Sequence, residues 1–229
     1  MNFFITGTGT DVGKTYVSAG LAWQMCQQRQ KKIDYIKPIA TGVDKYNLDV
    51  DYVKNVLRPF GFATAQGWYT YYEPASPYIA AKEENKEVPY LDILKKMESI
   101  DKKETDFIME GAGGVLVPLT DNFLIIDLIA KLNWPVIIVG HYGLGTVNHT
   151  CLTIEALKAR KCKIAGVILN QTCESENEEF MLAAETNQAE ITRITGVKVL
   201  GLVKFGDKPE GLNFSKIWSK IMVLESELN

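Results

Sequence analysis

Short apolar runs alternate with helical periodicity along the whole chain. The run Asn2–Thr6 (NFFIT) predicts a buried strand, followed by a loop rich in Gly and Thr. From Thr15 to Gln28 the apolar residues Val17, Leu21, Ala22 and Met25 recur at the spacing of one helix face. Further strands are predicted at Ile33–Ile39, Asp106–Glu110, Pro135–Gly140, Ile164–Asn170 and Val197–Val203. Helices are predicted at Leu48–Leu57, Pro89–Lys102, Ile125–Leu132, Thr146–Arg160, Glu178–Thr195 and Phe214–Glu225. The stretch from Leu57 to Tyr72 reads as aromatic and irregular. Strands alternating with helices of this length imply βαβ units and a parallel sheet. Uninterrupted apolar runs fit strands covered on both faces. With no repeat or flexible linker in sight, the expectation is an α/β fold with a single doubly wound, mostly parallel sheet over residues 1–229. In such sheets ligands bind at the carboxyl ends of the strands. The chemistry is therefore expected just after Thr6, Ile36, Met109, Val139 and Leu169.

Composition narrows the function classes. The 229 residues carry 25 Lys and Arg against 28 Asp and Glu, a net charge of −3. No basic stripe points to nucleic acid. The longest apolar runs, such as Pro135–Val139, fall far short of the roughly 20 residues a membrane span needs. The start, MNFFITG, has neither a basic region nor a long apolar core, so no secretory signal is expected. The four cysteines show no CxxC spacing and read as reduced thiols of a cytoplasmic protein.

The strongest chemical signal is Gly7-Thr8-Gly9-Thr10-Asp11-Val12-Gly13-Lys14-Thr15 between the first strand and the first helix. That is the context of a phosphate loop. Its N–H groups and the helix start favour phosphate. Lys14 is expected to reach the β- and γ-phosphates, and the Thr15 hydroxyl to ligate Mg²⁺. The strict pattern GxxxxGK[ST] places its first Gly at Thr8, so the loop is a variant beginning at Gly7. Gly9 stands where regulatory ATPases of this type carry a second lysine. Asp11, an acid inside a phosphate loop, repels phosphate and suits a cationic substrate group.

Other polar residues end the predicted strands. Lys37, followed by Pro38, projects at a carboxyl edge toward phosphate or carboxylate. Glu110 closes its strand with Walker B geometry, a position for a Mg²⁺ acid. The glycines beyond it, Gly113 among them, let backbone approach a ligand. Asp51 is either a second Mg²⁺ acid or a helix cap, and Asp49 competes with it. Gly143–Asn148 is a second glycine loop opening a helix, an anion site or a plain cap. Asn170 is a base-reading amide or a turn residue. His141 and His149 have no acid or Cys at ligand spacing and read as structural.

These blocks together resemble dethiobiotin synthetase, a family of ATP-dependent carboxylases. The matching segments are ITGTGTDVGKT (5–15), IKPIATG (36–42), EPASPYIAA (73–81), MEGAGGVLVPL (109–119), GLGTVNH (143–149) and GVILNQ (166–171). The resemblance implies a P-loop NTPase fold and a homodimer with substrate bound across its interface. It implies that ATP and Mg²⁺ turn 7,8-diaminononanoate and CO₂ into dethiobiotin, through a carbamate and a carbamic–phosphoric anhydride. Gly9, Thr10, Asp11, Val12, Gly13, Lys14, Thr15 and Tyr16 would then hold the nucleotide, with Glu110, Gly113 and Asn170. Lys37, Lys14 and Asp11 would be catalytic, and Thr15, Asp51 and Glu110 would hold the metal. Thr41 would lie near the diamine, and Gly145, Thr146, Val147 and Asn148 would take the substrate carboxylate from the partner subunit. Two positions depart from the family pattern. Tyr142-Gly143 replaces a common basic residue, and Val203-Lys204-Phe205 stands where proline is common. One rival reading is an ATP-dependent amide-forming enzyme of the cobyrinate amidation type, which would need a glutamine-hydrolysing domain with a catalytic Cys. The other is a regulatory nucleotide switch, which would turn over ATP without the diamine.

Overall fold

A computed structural model describes residues 1–29, 31–100, 104–174 and 178–228. Seven strands, β1 (Asn2–Gly7), β2 (Lys32–Ala40), β3 (Ala63–Thr70), β4 (Thr105–Gly114), β5 (Val136–His141), β6 (Ile164–Asn170) and β7 (Val199–Val203), form one sheet. Its order is β3-β2-β4-β1-β5-β6-β7 and every pairing is parallel. The helices are α1 (Lys14–Arg29), α2 (Leu48–Leu57), α3 (Pro77–Glu83), α4 (Tyr90–Ser99), α5 (Ile125–Leu132), α6 (Thr146–Ala159), α7 (Glu178–Thr195) and α8 (Leu212–Leu228).

The sheet has a core on each face. Val17 and Leu21 of α1, Val53 of α2 and Phe214 and Trp218 of α8 pack on one face. Ala80 of α3, Ile93 of α4, Leu128 of α5, Ile154 of α6 and Ile191 of α7 pack on the other. The strand β2 contributes to both cores. Ile33 and Tyr35 join the first core, whereas Ile36 and Ile39 join the second. The doubly wound parallel sheet expected from the sequence is what forms.

Two elements differ from the periodicity. The segment read as irregular contains β3, an edge strand beside β2 with Ile36 opposite Gln66. Its residues, ATAQGWYT, are mostly small or polar, and it is only half covered. An edge strand needs little apolar sequence, so it left no apolar run to detect. The helix α3 is seven residues long and opens on Pro77 after Ser76, a start for which proline is pre-organised. The predicted helix Pro89–Lys102 is observed as Tyr90–Ser99, its last two residues lying outside the described ones. The strand predicted to end at Glu110 runs on to Gly114, with Gly113 in the left-handed region at φ +65°.

Candidate active site

The central strand β1 lies between β4 and β5, where the chain's winding changes direction. The loop after it folds by backbone geometry. Gly13 has φ +85°, and a Cβ there would lie 2.0 Å from the Asn170 amide nitrogen. Asp11 adopts φ 58°, a left-handed conformation that Asp tolerates better than most residues. A Cβ at Gly7 would meet Val12 at 2.8 Å and the Gly9 carbonyl at 2.9 Å. Glycine is therefore required at position 7, and the variant loop indeed begins there. Lys14 opens α1 and donates to the Gly9 carbonyl at 2.8 Å.

The register of β2 on β4 sets Ile36 opposite Met109. The next residues, Lys37 and Glu110, are thereby neighbours at the carboxyl edge. Glu110 is completely buried and Lys37 nearly so. Four donors reach the carboxylate. Thr15 Oγ1 at 2.8 Å and Lys37 Nζ at 2.9 Å donate to Oε1. Ser18 Oγ at 3.1 Å and the Tyr35 hydroxyl at 2.8 Å donate to Oε2. Lys37 also forms a salt bridge to Asp49 on the first turn of α2.

These groups surround a cavity of about 630 Å³ lined by Thr10, Asp11, Gly13, Lys14, Thr15, Tyr16, Lys37, Thr41, Leu48, Asp49, Tyr52, Glu110, Ala112 and Gly113. Eleven of the residues singled out in the sequence thus meet in one place. Of the two acids weighed in the sequence, Asp49 lines this cavity and Asp51 does not. Successive helical residues turn by about 100°, so Asp49 and Tyr52 share the face toward the cavity and Asp51 turns away from it. Asn47 is the cap of this helix, its side chain accepting from the Val50 N–H.

Three other groups lie elsewhere. Asn170 is buried behind the loop, where its amide donates to the Val12 carbonyl at 3.0 Å. Its Oδ1 has no hydrogen-bond partner among the described residues. Val12 is buried as well. Gly9 lines a neighbouring cavity of about 450 Å³ with Val115, Leu116, Val117, His149 and Leu152. Gly145 caps α6 at φ +85°, with Thr146 buried and Asn148 exposed. These residues line neither cavity. Asn187 on α7 holds this loop through the Gly143 carbonyl at 3.0 Å.

The two lysines differ electrostatically. Burial pushes the Lys14 pKa below the ordinary lysine value despite the nearby Glu110. Burial acts on Lys37 in the same sense, but Glu110 and Asp49 outweigh it and hold its pKa above the ordinary value. Burial, then the Glu110 charge, keeps the Tyr35 phenol well above its usual range, so it remains a donor. Tyr16 is pushed up to about 12 by burial and then by Tyr52. Sequence reading missed Tyr35, Ser18 and Tyr52. Spacing held a signal for two of them: Tyr35 precedes Lys37 by two residues on a strand, and Ser18 follows Thr15 by three on a helix.

The donor set suits Mg²⁺. Thr15 Oγ1 and Glu110 Oε1 lie 2.8 Å apart, close to the roughly 2.9 Å between adjacent oxygens of an octahedron with bonds of about 2.0–2.1 Å. Among the described residues no three His, Cys, Asp or Glu side chains gather to cage a metal. Mg²⁺ bound by one or two carboxylates plus phosphate oxygens needs no such cage. No helix among the described residues is long and apolar enough to cross a membrane.

The chain is similar to several known proteins. The AAA domain family AAA_26 matches residues 1–208. The ATP-dependent dethiobiotin synthetase of Bacillus subtilis strain 168 is 35% identical over 211 residues, 87% of this chain and 85% of that protein. The synthetase of Bacillus velezensis is 34% identical and spans 100% of this chain and 97% of its own. That of Methanococcus aeolicus is 38% identical over 93% of this chain and 98% of its own. Among solved structures, a ParA family ATPase from Chlorobium tepidum superposes with a TM-score of 0.55 at 14% identity, covering 100% of this chain and 98% of that one. The MinC:MinD complex of Aquifex aeolicus gives 0.54 at 16%, covering 99% and 88%. These two likenesses concern the P-loop NTPase fold alone. The identity to the synthetases, over nearly the full length of both chains, shows that this chain belongs to the family of ATP-dependent dethiobiotin synthetases.

Proposed function

We propose that the chain, as one domain, converts 7,8-diaminononanoate, CO₂ and ATP into dethiobiotin, ADP and phosphate. The observation that carries this reading is the meeting of two buried ammonium groups, Lys14 and Lys37, with Glu110 and Asp49 around one cavity at the phosphate loop. One amine of the diamine adds to CO₂ and loses a proton, giving a carbamate. A carbamate oxygen attacks the γ-phosphorus of ATP, and the bond to the bridging oxygen breaks as ADP leaves. The second amine attacks the carbon of the resulting anhydride. A C–O bond breaks, phosphate leaves with the electron pair, and the ring closes with loss of a proton.

Lys14 and Lys37 neutralise charge that develops on the transferring phosphoryl group, the main task of the protein in such reactions. Asp11, exposed at the cavity rim, offers a counter-charge to the amines, and Thr41 lines the same space. Thr15, Glu110 and Asp49 would hold Mg²⁺, which when bound supplies further charge neutralisation on phosphate oxygens. Asn170 braces the loop from behind.

The start of α6, at Gly145–Asn148, would take the substrate carboxylate, since a helix N-terminus favours an anion. We assign that contact to a second copy of the chain. Leu116, Leu144 and Leu152 are 58%, 85% and 61% exposed, and two of them line the apolar cavity beside the phosphate loop. A homodimer would cover them, and light scattering at twice the chain mass checks it.

Mass spectrometry of reactions with the diamine, bicarbonate and MgATP tests the function. Dethiobiotin is expected, and ATP turnover is expected to require the diamine. Turnover indifferent to diamine and bicarbonate would favour a nucleotide switch instead. A second measurement separates the acids. Asp49→Asn should raise the Mg²⁺ concentration for half activity about 10-fold or more, whereas Asp51→Asn should leave it within about twofold. The reverse order would return the metal role to Asp51.

A further inference from the structure

The two oxygens of Glu110 face different surroundings. Oε1 accepts from Thr15 and Lys37, both of which line the large cavity. Among the described residues Oε2 accepts only from Ser18 and Tyr35, neither of which lines it. Both donors are completely buried. One carboxylate oxygen therefore points at the site and the other into the core between α1 and the sheet.

Tyr35 reaches this position through the strand geometry. Residues i and i+2 of a strand share a face, so Tyr35 stands one step behind Lys37 on the side covered by α1. Its ring packs in the core that holds Ile33, Val17, Leu21 and Ile108. Phenylalanine would fill this space equally well without placing a hydroxyl in the core. A buried hydroxyl costs free energy unless it is hydrogen-bonded, and its partner here is the Glu110 carboxylate at 2.8 Å. Ser18, one helical turn beyond Thr15, adds the second bond to the same oxygen.

We infer that Tyr35 is a positioning residue which, with Ser18, fixes Oε2 and presents Oε1 alone to the divalent cation beside Thr15. This rests on the Mg²⁺ reading above. Single-oxygen ligation matches the small, strictly octahedral Mg²⁺, whereas Ca²⁺ accepts both oxygens of a carboxylate at longer distances. The clamp is thus a selectivity device as well as an orienting one. Freed from Tyr35, the carboxylate can rotate and offer both oxygens. The buried Oε2 also loses half of its hydrogen bonding, so any geometry that keeps Oε1 alone on the metal becomes costlier.

The test is metal binding to the complex with a non-hydrolysable ATP analogue, followed by calorimetry with Mg²⁺ and separately with Ca²⁺. No diamine is used. Tyr35→Phe should weaken Mg²⁺ binding about 10-fold, within the range usual for groups that orient metal ligands. Ca²⁺ binding should weaken less or strengthen, so that the Mg²⁺/Ca²⁺ preference falls. Ser18→Ala should move the preference in the same direction, and it carries the test if Tyr35→Phe melts below the assay temperature. Equal changes for both ions, or no change for either, in a folded variant would overturn the role of Tyr35. Wild-type complex that binds no Mg²⁺ would overturn the metal reading beneath it, and is a distinct result.

Discussion

Lys37→Ala will lose activity and stability together, whereas Lys14→Ala will lose activity without a comparable loss of stability. Each replacement removes one positive charge from the proposed site of phosphoryl transfer. Loss of one such contact typically costs about 10²–10³ in rate, and both variants should fall at least that far in kcat. Their folded states diverge because the lysines sit in opposite electrostatic settings. Lys37 is bonded to Glu110 at 2.9 Å and paired with Asp49, and its pKa lies above the ordinary value. A raised lysine pKa means that the folded chain holds the proton more tightly than the unfolded one. That stability is fully present below the ordinary lysine value and is lost as pH rises through the folded value. Removing Lys37 leaves the buried Glu110 without its cation, which costs on the order of 3 kcal/mol. Among the described residues Lys14 donates only to the Gly9 carbonyl, and burial lowers its pKa. Its charge therefore opposes folding below its folded value, and this penalty is relieved as pH rises toward the ordinary value. Denaturant unfolding at neutral pH, without nucleotide, separates the two. A Lys14→Ala variant as destabilised as Lys37→Ala would contradict this division. Near wild-type turnover of Lys37→Ala would remove that residue from the mechanism.

Much of this site is legible in the sequence because its residues are local to strand ends. A strand, a glycine loop and GKT name the phosphate site before any coordinate is known. Lys37 and Glu110 each close an apolar run, so they fall at the carboxyl edge of any parallel sheet built from those runs. That they are neighbours depends on β4 lying beside β2 and on the register that sets Ile36 opposite Met109. Periodicity carries no strand order. The choice between Asp49 and Asp51 needs the rotation of α2 about its axis, since both acids fall in its first turn. Tyr35 reads as one more apolar residue of a buried strand, because its hydroxyl has meaning only with Glu110, 75 residues away, at hand. β3 escapes for the opposite reason: an edge strand is half solvated and does not need apolar residues. Asn170 falls where a strand-end amide is expected, but the Gly13 backbone against it fixes what it touches.

The contact between Gly13 and Asn170 should make a coupled pair in nucleotide binding. Alanine at Gly13 meets two separate obstacles. A residue with a Cβ at φ +85° pays roughly 1–2 kcal/mol for the left-handed backbone. The Cβ would also lie 2.0 Å from the Asn170 amide nitrogen, far inside contact distance, so the loop or the amide must move. Moving the amide breaks its bond to the Val12 carbonyl, which is buried on this side of the loop. Moving the loop displaces the N–H groups proposed to cradle phosphate. Either response spoils the same site, and Gly13→Ala is expected to weaken ATP binding by about 10² or more, of which the backbone term accounts for roughly 10-fold. Asn170→Ala alone should cost less, on the scale of one hydrogen bond of about 1 kcal/mol. In Gly13→Ala/Asn170→Ala the overlap is gone and the backbone cost remains. The double variant should therefore bind ATP more tightly than Gly13→Ala, a sign reversal that independent sites do not show. Calorimetric titration of the four proteins with ATP closes the cycle. If the double variant binds as weakly as the two losses added together, Asn170 does not press on the loop. Undiminished binding by Gly13→Ala would put the phosphates somewhere other than this loop.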